Sequence, residues 1–314
     1  MILGAKGGLG KRKTYSLHEP ARSVAIGDFD KDGRLDIMTS TPRLLDLVLG
    51  EDGGFGEPGY VALNFNTGAV RVADLDKNGW LDNVIVDYEY WALYELYGSQ
   101  GLKYPDQYRI ELKSQPSDLV LADINRDGWL DRIVSSSNAN RIYFIQSLGP
   151  QSSYDAGGFA TGVSPWGLQT GDFDGDEWLD VVVANMGSDN VSVLLSQQKN
   201  GRWDGFADQL LFPVGKRPGA VAVGDINGDG RPDVVVANES PDAPPGTVSV
   251  LLNRGGTPFE GFDEQLEFIV GSGPRDIALA DFDGDGWLDI VTANHDSDNL
   301  SLLRSKVAPE CVNP

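Results

Sequence analysis

Cysteine, histidine and methionine are almost missing from this 314-residue chain: one, two and three residues. A single cysteine, Cys311, leaves no partner for an internal disulfide and reads as a terminal thiol. His18 and His295 read as loop residues rather than general bases, and no zinc constellation can be built from them. No apolar run approaches the length of a membrane span, so membrane insertion is not expected. The opening MILGAKGGLGKRK also lacks the apolar core of a signal peptide, so the signal has been removed, this is an excised domain, or the protein is not exported. Helical periodicity of useful length is absent, as are a nucleophile elbow and a phosphate-cradling glycine loop before a helix. Basic residues are few: 25 against 47 acidic ones, a net charge of −22, which argues against nucleic acid and anionic membranes as partners.

Acidic residues and glycine (39 residues) dominate instead, and the acidity is organised. The stretch DFDKDGRLD (28–36) recurs as DLDKNGWLD (74–82), DINRDGWLD (123–131), DFDGDEWLD (172–180), DINGDGRPD (225–233) and DFDGDGWLD (281–289). Oxygen side chains stand at positions 1, 3, 5 and 9 of every copy, and glycine at position 6 of all but one. Such a loop wraps a hard cation, with position 7 offering its backbone carbonyl and the glycine permitting a left-handed turn. Asx turns without metal are the plainer reading of one copy. Six copies spaced 46 to 56 residues apart are a repeat array.

The ligands expected are Asp28, Asp30, Asp32 and Asp36; Asp74, Asp76, Asn78 and Asp82; Asp123, Asn125, Asp127 and Asp131; Asp172, Asp174, Asp176 and Asp180; Asp225, Asn227, Asp229 and Asp233; and Asp281, Asp283, Asp285 and Asp289. To these the carbonyls of Arg34, Trp80, Trp129, Trp178, Arg231 and Trp287 are added. The four tryptophans are expected to pack beside their loops. Three or four carboxylates per nine residues would repel one another without a cation. All-oxygen ligation excludes zinc and favours Ca2+ over Mg2+, with up to six ions. Six divalent ions would reduce the charge from −22 to about −10, so the acidity reads as metal demand. The 172–180 loop has Glu177 where the others have glycine, which strains the turn or forces another and makes this the least secure site.

Each copy sits between strand-like runs. Alternating runs such as SVAIGD (23–28) and AVAVGD (220–225) enter the loop; continuous runs such as DVVVAN (180–185) leave it and read as strands buried on both faces. A third run, as in NVSVLLS (190–196), and a variable fourth, as in GYVAL (59–63), complete units of about 50 residues. The expected fold class is all-β: a six-bladed β-propeller of four-stranded antiparallel blades over 1–314, with a C-terminal tail at 305–314. The segment 2–17 resembles 48–63, so the N-terminal strand is expected to complete the last blade and close the ring.

The six D-x-[DN]-x-[DN]-G-x-x-D motifs, the flanking AVAVGD and DVVVAN strands and GGFGEP (53–58) resemble the FG-GAP/VCBS repeat family, the calcium-binding propeller of integrin α-subunits and of many microbial surface proteins. The resemblance covers about Ile2 to Arg304. It implies the fold and calcium, with ligands bound on the face opposite the calcium loops or between blades. That face would present Arg22, Trp166, Arg217, Arg275, Asn185, Asn238, Asn294 and His295. Integrin propellers have seven blades and fill only some loops, so their ligand does not carry over. Between Tyr88 and Tyr108 lie six of the ten tyrosines and Trp91, either a platform for sugars or proline-rich peptides or core packing peculiar to this blade. The expectation is a monomeric, extracellular, cell-surface or periplasmic module for cell adhesion or carbohydrate binding, recognising a glycan or protein, with calcium structural. A carbohydrate-active lyase or dehydratase on the same propeller, and a spacer domain of a larger surface protein, are the alternatives.

Overall fold

A computed structural model describes residues 15–52, 54–240 and 245–305, and the backbone of 2–5 and 8–12. Strands are short and joined by turns, and no helix occurs among the described residues. The chain divides into two compact units, Thr14–Ala160 and Thr161–Pro314, the latter together with Ile2–Lys13.

The first unit holds three sheets, each a simple antiparallel meander. Blade one runs through Ser23–Gly27, Asp36–Thr41, Leu44–Val48 and Gly59–Ala62. Blade two is Thr67–Ala73, Asp82–Asp87, Ala92–Ser99 and Lys103–Glu111. Blade three is Leu119–Ala122, Asp131–Ser136, Arg141–Gly149 and Ser152–Ala160. In the second unit blade four is Pro165–Gly171, Asp180–Asn185, Asn190–Leu194 and Leu210–Pro213. Blade five is Pro218–Gly224, Asp233–Asn238, Thr247–Leu251 and Leu266–Ile269. Blade six shows Pro274–Ala280, Asp289–Asn294 and Asn299–Leu303. Six such blades define the six-bladed β-propeller fold class.

The N-terminal segment pairs as a hairpin, Ile2–Ala5 with Gly8–Arg12, the counterpart of Gly50–Glu51 with Gly54–Phe55 in blade one. It belongs to the same unit as blade six. The outer strand expected of it, 13–17, begins outside the described residues, as do Cys311 and all but the first residue of the C-terminal tail.

Alternation along each second strand explains the core. In DNVIVD, Val84 and Val86 point toward blade three while Ile85 points toward blade one, so a strand fully buried on both faces needs apolar residues throughout. The cluster between blades one and two joins Met38, Leu45, Val70, Ile85 and Leu96; that between blades four and five joins Val182, Val191, Val221, Val234 and Val236. The apolar residue at loop position 2 plugs the same seams: Phe29, Leu75 and Phe173 are buried there. Between blades two and three the seam carries a charged pair. Arg132 forms an ion pair with Glu95 at 2.5 Å, and the Tyr97 hydroxyl donates to the other Glu95 oxygen at 2.5 Å, all three residues being buried. Burial and then the adjacent Glu95 charge push the Tyr97 phenol far up from its ordinary value.

Candidate metal centres

Each acidic loop joins the first and second strands of its blade, and the six share one hydrogen-bond pattern. In blade one the Asp28 carboxylate accepts from the Gly33 amide at 2.9 Å and the Asp32 amide at 3.1 Å, while Asp32 accepts from the Arg34 amide at 2.8 Å. The position 1 to position 6 bond recurs at Asp74, Asp123, Asp172, Asp225 and Asp281. The position 5 to position 7 bond recurs at Asn78, Asp127, Asp176, Asp229 and Asp285. These bonds wrap the backbone around the side-chain oxygens of positions 1, 3 and 5.

Position 9 behaves differently. Asp36, Asp82, Asp131, Asp180, Asp233 and Asp289 are at most 1% exposed. One oxygen of each accepts the position 2 amide and the other an amide close to the end of the third strand, within it in blades two and three and just beyond it in the others. Asp180 does so from Phe173 at 2.9 Å and Ser196 at 2.8 Å. Asp36 and Asp289 repeat this with Phe29 and Gly50, and with Phe282 and Ser305. The aspartate expected as a fourth ligand therefore also fastens loop to sheet.

Two tests of the oxygen set against a cation can be made. Carboxylate oxygens lie within 4.8 Å of one another in four groups: Asp28, Asp30 and Asp32; Asp74, Asp76 and Asp82; Asp172, Asp174 and Asp180; Asp281, Asp283 and Asp285. The remaining two loops have Asn125 and Asn227 at position 3 and so present one fewer carboxylate there. Asp74 Oδ1 and Asp283 Oδ1 are buried with no hydrogen-bond partner, an arrangement that demands a cation or a donor. The residues fit a hard divalent ion.

Burial is the main electrostatic influence on position 9. It pushes Asp82 up to about 6, Asp131 to about 7 and Asp180 to about 8, against the lowering effect of their backbone amides; the other carboxylates of each loop add to the rise. Asp233, Asp30 and Asp174 are raised for the same first reason. Asp281, fully exposed, is lowered by amides, Gly286 foremost.

Glu177 keeps the loop's own turn rather than adopting another. Its φ is +70°, beside +83° to +91° for the glycines at position 6, and its amide donates to Asp172 at 2.9 Å. The loop needs a second left-handed residue, at position 4, which the sequence pattern did not announce. Lys31, Lys77 and Arg126 hold it in blades one to three at φ +58° to +63°, and Gly175, Gly228 and Gly284 in blades four to six. Loop four therefore carries one non-glycine left-handed residue, as do loops one to three.

Trp80 and Trp129 at position 7 pack, as expected, and toward the preceding blade. Lys31 Nζ lies 4.2 Å from the Trp80 ring centroid and Lys77 Nζ 4.0 Å from that of Trp129. Arg34 and Arg231 turn back on their own blades, where Nε donates to Gly50 and Asn253 carbonyls at 2.8 and 2.9 Å and the guanidinium pairs with Asp32 and Asp229.

The loop-free face differs from expectation in part. Asn185, Asn238 and Asn294 are buried, not presented: each donates to the third strand, reaching Ser192, Ser249 and Ser301 at 2.8 to 2.9 Å. Arg22 is engaged with Asn66 and the Thr67 carbonyl. Arg217 and Arg275 both approach Glu239, at 3.2 and 3.8 Å. Trp166 and His295 are exposed, the latter paired with Asp296. His18 is paired with the buried Asp46 at 2.6 Å. Of the tyrosine-rich stretch, Tyr97 is buried, Tyr94 stacks on Phe65, and Tyr88 and Tyr108 pack against the core; Tyr90 and Trp91 remain exposed at the turn between strands two and three.

Matches to the FG-GAP-like repeat model fall at 74–134, 123–183, 172–236 and 231–292. The chain is a β-propeller of repeated blades, and it belongs to the FG-GAP-like repeat family. No curated protein matches it significantly. Solved structures share the fold at low identity. A functionally unknown protein from Desulfotomaculum acetoxidans DSM 771 is 14% identical over 96% of this chain and 94% of that one, with a TM-score of 0.63. A provisionally assigned 6-phosphogluconolactonase from Bacteroides uniformis ATCC 8492 is 11% identical over 95% and 84%, TM-score 0.65. A protein from Lactobacillus plantarum is 14% identical over 96% and 89%, TM-score 0.59.

Proposed function

We propose that this protein is a calcium-stabilised, non-catalytic recognition or adhesion module, working where calcium is near millimolar, outside the cell or in the periplasm. The observation that carries the calcium reading is the convergence of carboxylate oxygens within 4.8 Å in loops that also bury unpartnered oxygens at Asp74 and Asp283. A bound cation would neutralise the converging carboxylates, those of positions 1, 3 and 5 in loops one and six and of positions 1, 3 and 9 in loops two and four, and accept the unpartnered oxygens as ligands. Recognition of a glycan or protein is assigned to the face opposite the loops, supported there by the exposed Tyr90, Trp91 and Trp166.

Extracellular calcium modules have dissociation constants of roughly 10⁻⁴ to 10⁻³ M. At about 1 mM calcium each site adds on the order of 0.4–1.4 kcal/mol, and six sites about 2.5–8.5 kcal/mol. For a chain of this length that is a Tm lower by about 4–13 °C after chelation. An unchanged melt overturns the calcium reading. A glycan array run with and without calcium tests recognition, and absence of any glycan or protein binding favours a spacer.

A further inference from the structure

The seam between blades four and five lacks the ring that its neighbour has. At the junction of blades five and six, Trp287 lies over Gly228 so closely that a Cβ there would meet the indole at 2.4 Å. The equivalent pair at blades four and five is Gly175 and Arg231. Nothing stands within 4 Å of the place a Gly175 Cβ would take, because Arg231 is held back on its own blade by the Asn253 carbonyl and Asp229.

The gap is a cavity of about 280 Å³, walled by Gly175, Gly230, Arg231, Gly255 and Gly256 and floored by Phe173 and the loop-four aspartates. Its far wall belongs to the turn after the third strand of blade five. That turn is anchored across the seam: Thr257 Oγ1 donates to the Asp174 carbonyl at 2.8 Å and Asn253 Nδ2 to the Phe173 carbonyl at 3.0 Å. Phe259 and Phe262 pack on Phe173 and Phe212 beneath it, so the wall is supported. Gly255 stands at φ +72°, a left-handed place that favours glycine, and a Cβ there would lie 2.8 Å from the Arg231 side chain. The volume is at the low end for ligand pockets, suiting one side chain rather than a large molecule.

We infer that this slot receives an aromatic side chain from a protein partner, its ring over Gly175 as the Trp287 ring is over Gly228, in the space that Arg231 leaves open. This places a second contact on the loop-bearing side of the second unit. It rests on the recognition reading above, but its failure would leave calcium-dependent melting intact, so the two are told apart.

The test is titration of N-acetyl-tryptophanamide, and of methyl glucoside as the sugar counterpart, into the calcium-loaded protein, followed by amide NMR shifts. Saturable shifts with the indole at Gly175, Gly230 and Gly255 are expected. Arg231→Trp should fill the slot from within and weaken binding at least tenfold without lowering Tm, while Arg231→Ala, which removes one wall but leaves the slot open, should weaken it less than Arg231→Trp does. No saturable shift in the unmodified protein, shifts confined to other surfaces, response to methyl glucoside alone, or undiminished binding by a folded Arg231→Trp protein would each overturn the inference.

Discussion

Gly175 and Gly228 occupy the same loop position with nearly the same backbone, φ +75° and +72°, but different surroundings. Replacing either by alanine imposes the same left-handed penalty, about 1–2 kcal/mol. Reduced freedom of the unfolded chain offsets about 0.4–1 kcal/mol of it. Gly175→Ala adds a methyl into open space, so its net cost is about 0–1.6 kcal/mol. Gly228→Ala drives the methyl to 2.4 Å from the Trp287 ring, and displacing a packed indole adds about 1–3 kcal/mol. Urea unfolding at saturating calcium should separate the two variants by that amount, and thermal melts by about 1.5–4.5 °C. Trp287→Ala supplies the control: combined with Gly228→Ala it removes the clash, so the double variant should be more stable than additivity predicts by about 1–3 kcal/mol. Equal destabilisation by the two glycine substitutions, or additivity in the cycle, would show that no indole rests on Gly228 and would remove the comparison on which the open slot depends.

Two further outcomes are expected. Metal-depleted protein should gain stability as pH falls from about 8 to 5: Asp82, Asp131 and Asp180 titrate at about 6, 7 and 8 when folded but near 3.8 when unfolded, so the folded state holds more protons in that window. Calcium-loaded protein should show the opposite slope, since protonation competes with the ion; melting temperatures against pH for both forms decide, and parallel slopes count against the assignment. Arg132→Ala leaves Glu95 charged and buried and should cost about 3–5 kcal/mol in urea unfolding, while Glu95→Leu with Arg132→Met should cost much less; similar losses for both would show that the pair is not desolvated.

The blades were legible because two periodicities coincide. The acidic motif marks every turn between first and second strands, and runs such as DVVVAN alternate their side chains between two apolar seams, which only a doubly covered strand requires. Tyrosines in blade two were ambiguous for the same reason: parity sends Tyr94 and Tyr97 to opposite faces of their strand, each toward an apolar seam, but cannot settle a turn, where Tyr90 and Trp91 came out exposed. Buried Asn185, Asn238 and Asn294 were misread as surface residues because a polar side chain at a strand end looks alike whether it faces water or donates to the neighbouring strand. Glu177 looked like a lone defect only while position 6 was considered alone. Set beside Lys31, Lys77 and Arg126 at position 4, it is one of four non-glycine residues sharing the loop's two left-handed places.

The division of labour inside the loop follows from those hydrogen bonds. Position 9 and the plug at position 2 tie each loop to its sheet through amides and apolar contact, while Asp82 and Asp180 also turn an oxygen toward the carboxylates of positions 1 and 3. Positions 1, 3 and 5 gather negative charge on the more exposed side, where local amides, with Arg34, Arg231 and Arg304 in loops one, five and six, oppose their repulsion. Removing calcium should therefore loosen the outer half of each loop before the blade. The slot over Gly175 borders that outer half, with Asp172 and Asp174 in its floor. Binding there, read by the same amide shifts, should weaken on chelation even at temperatures where the second unit stays folded.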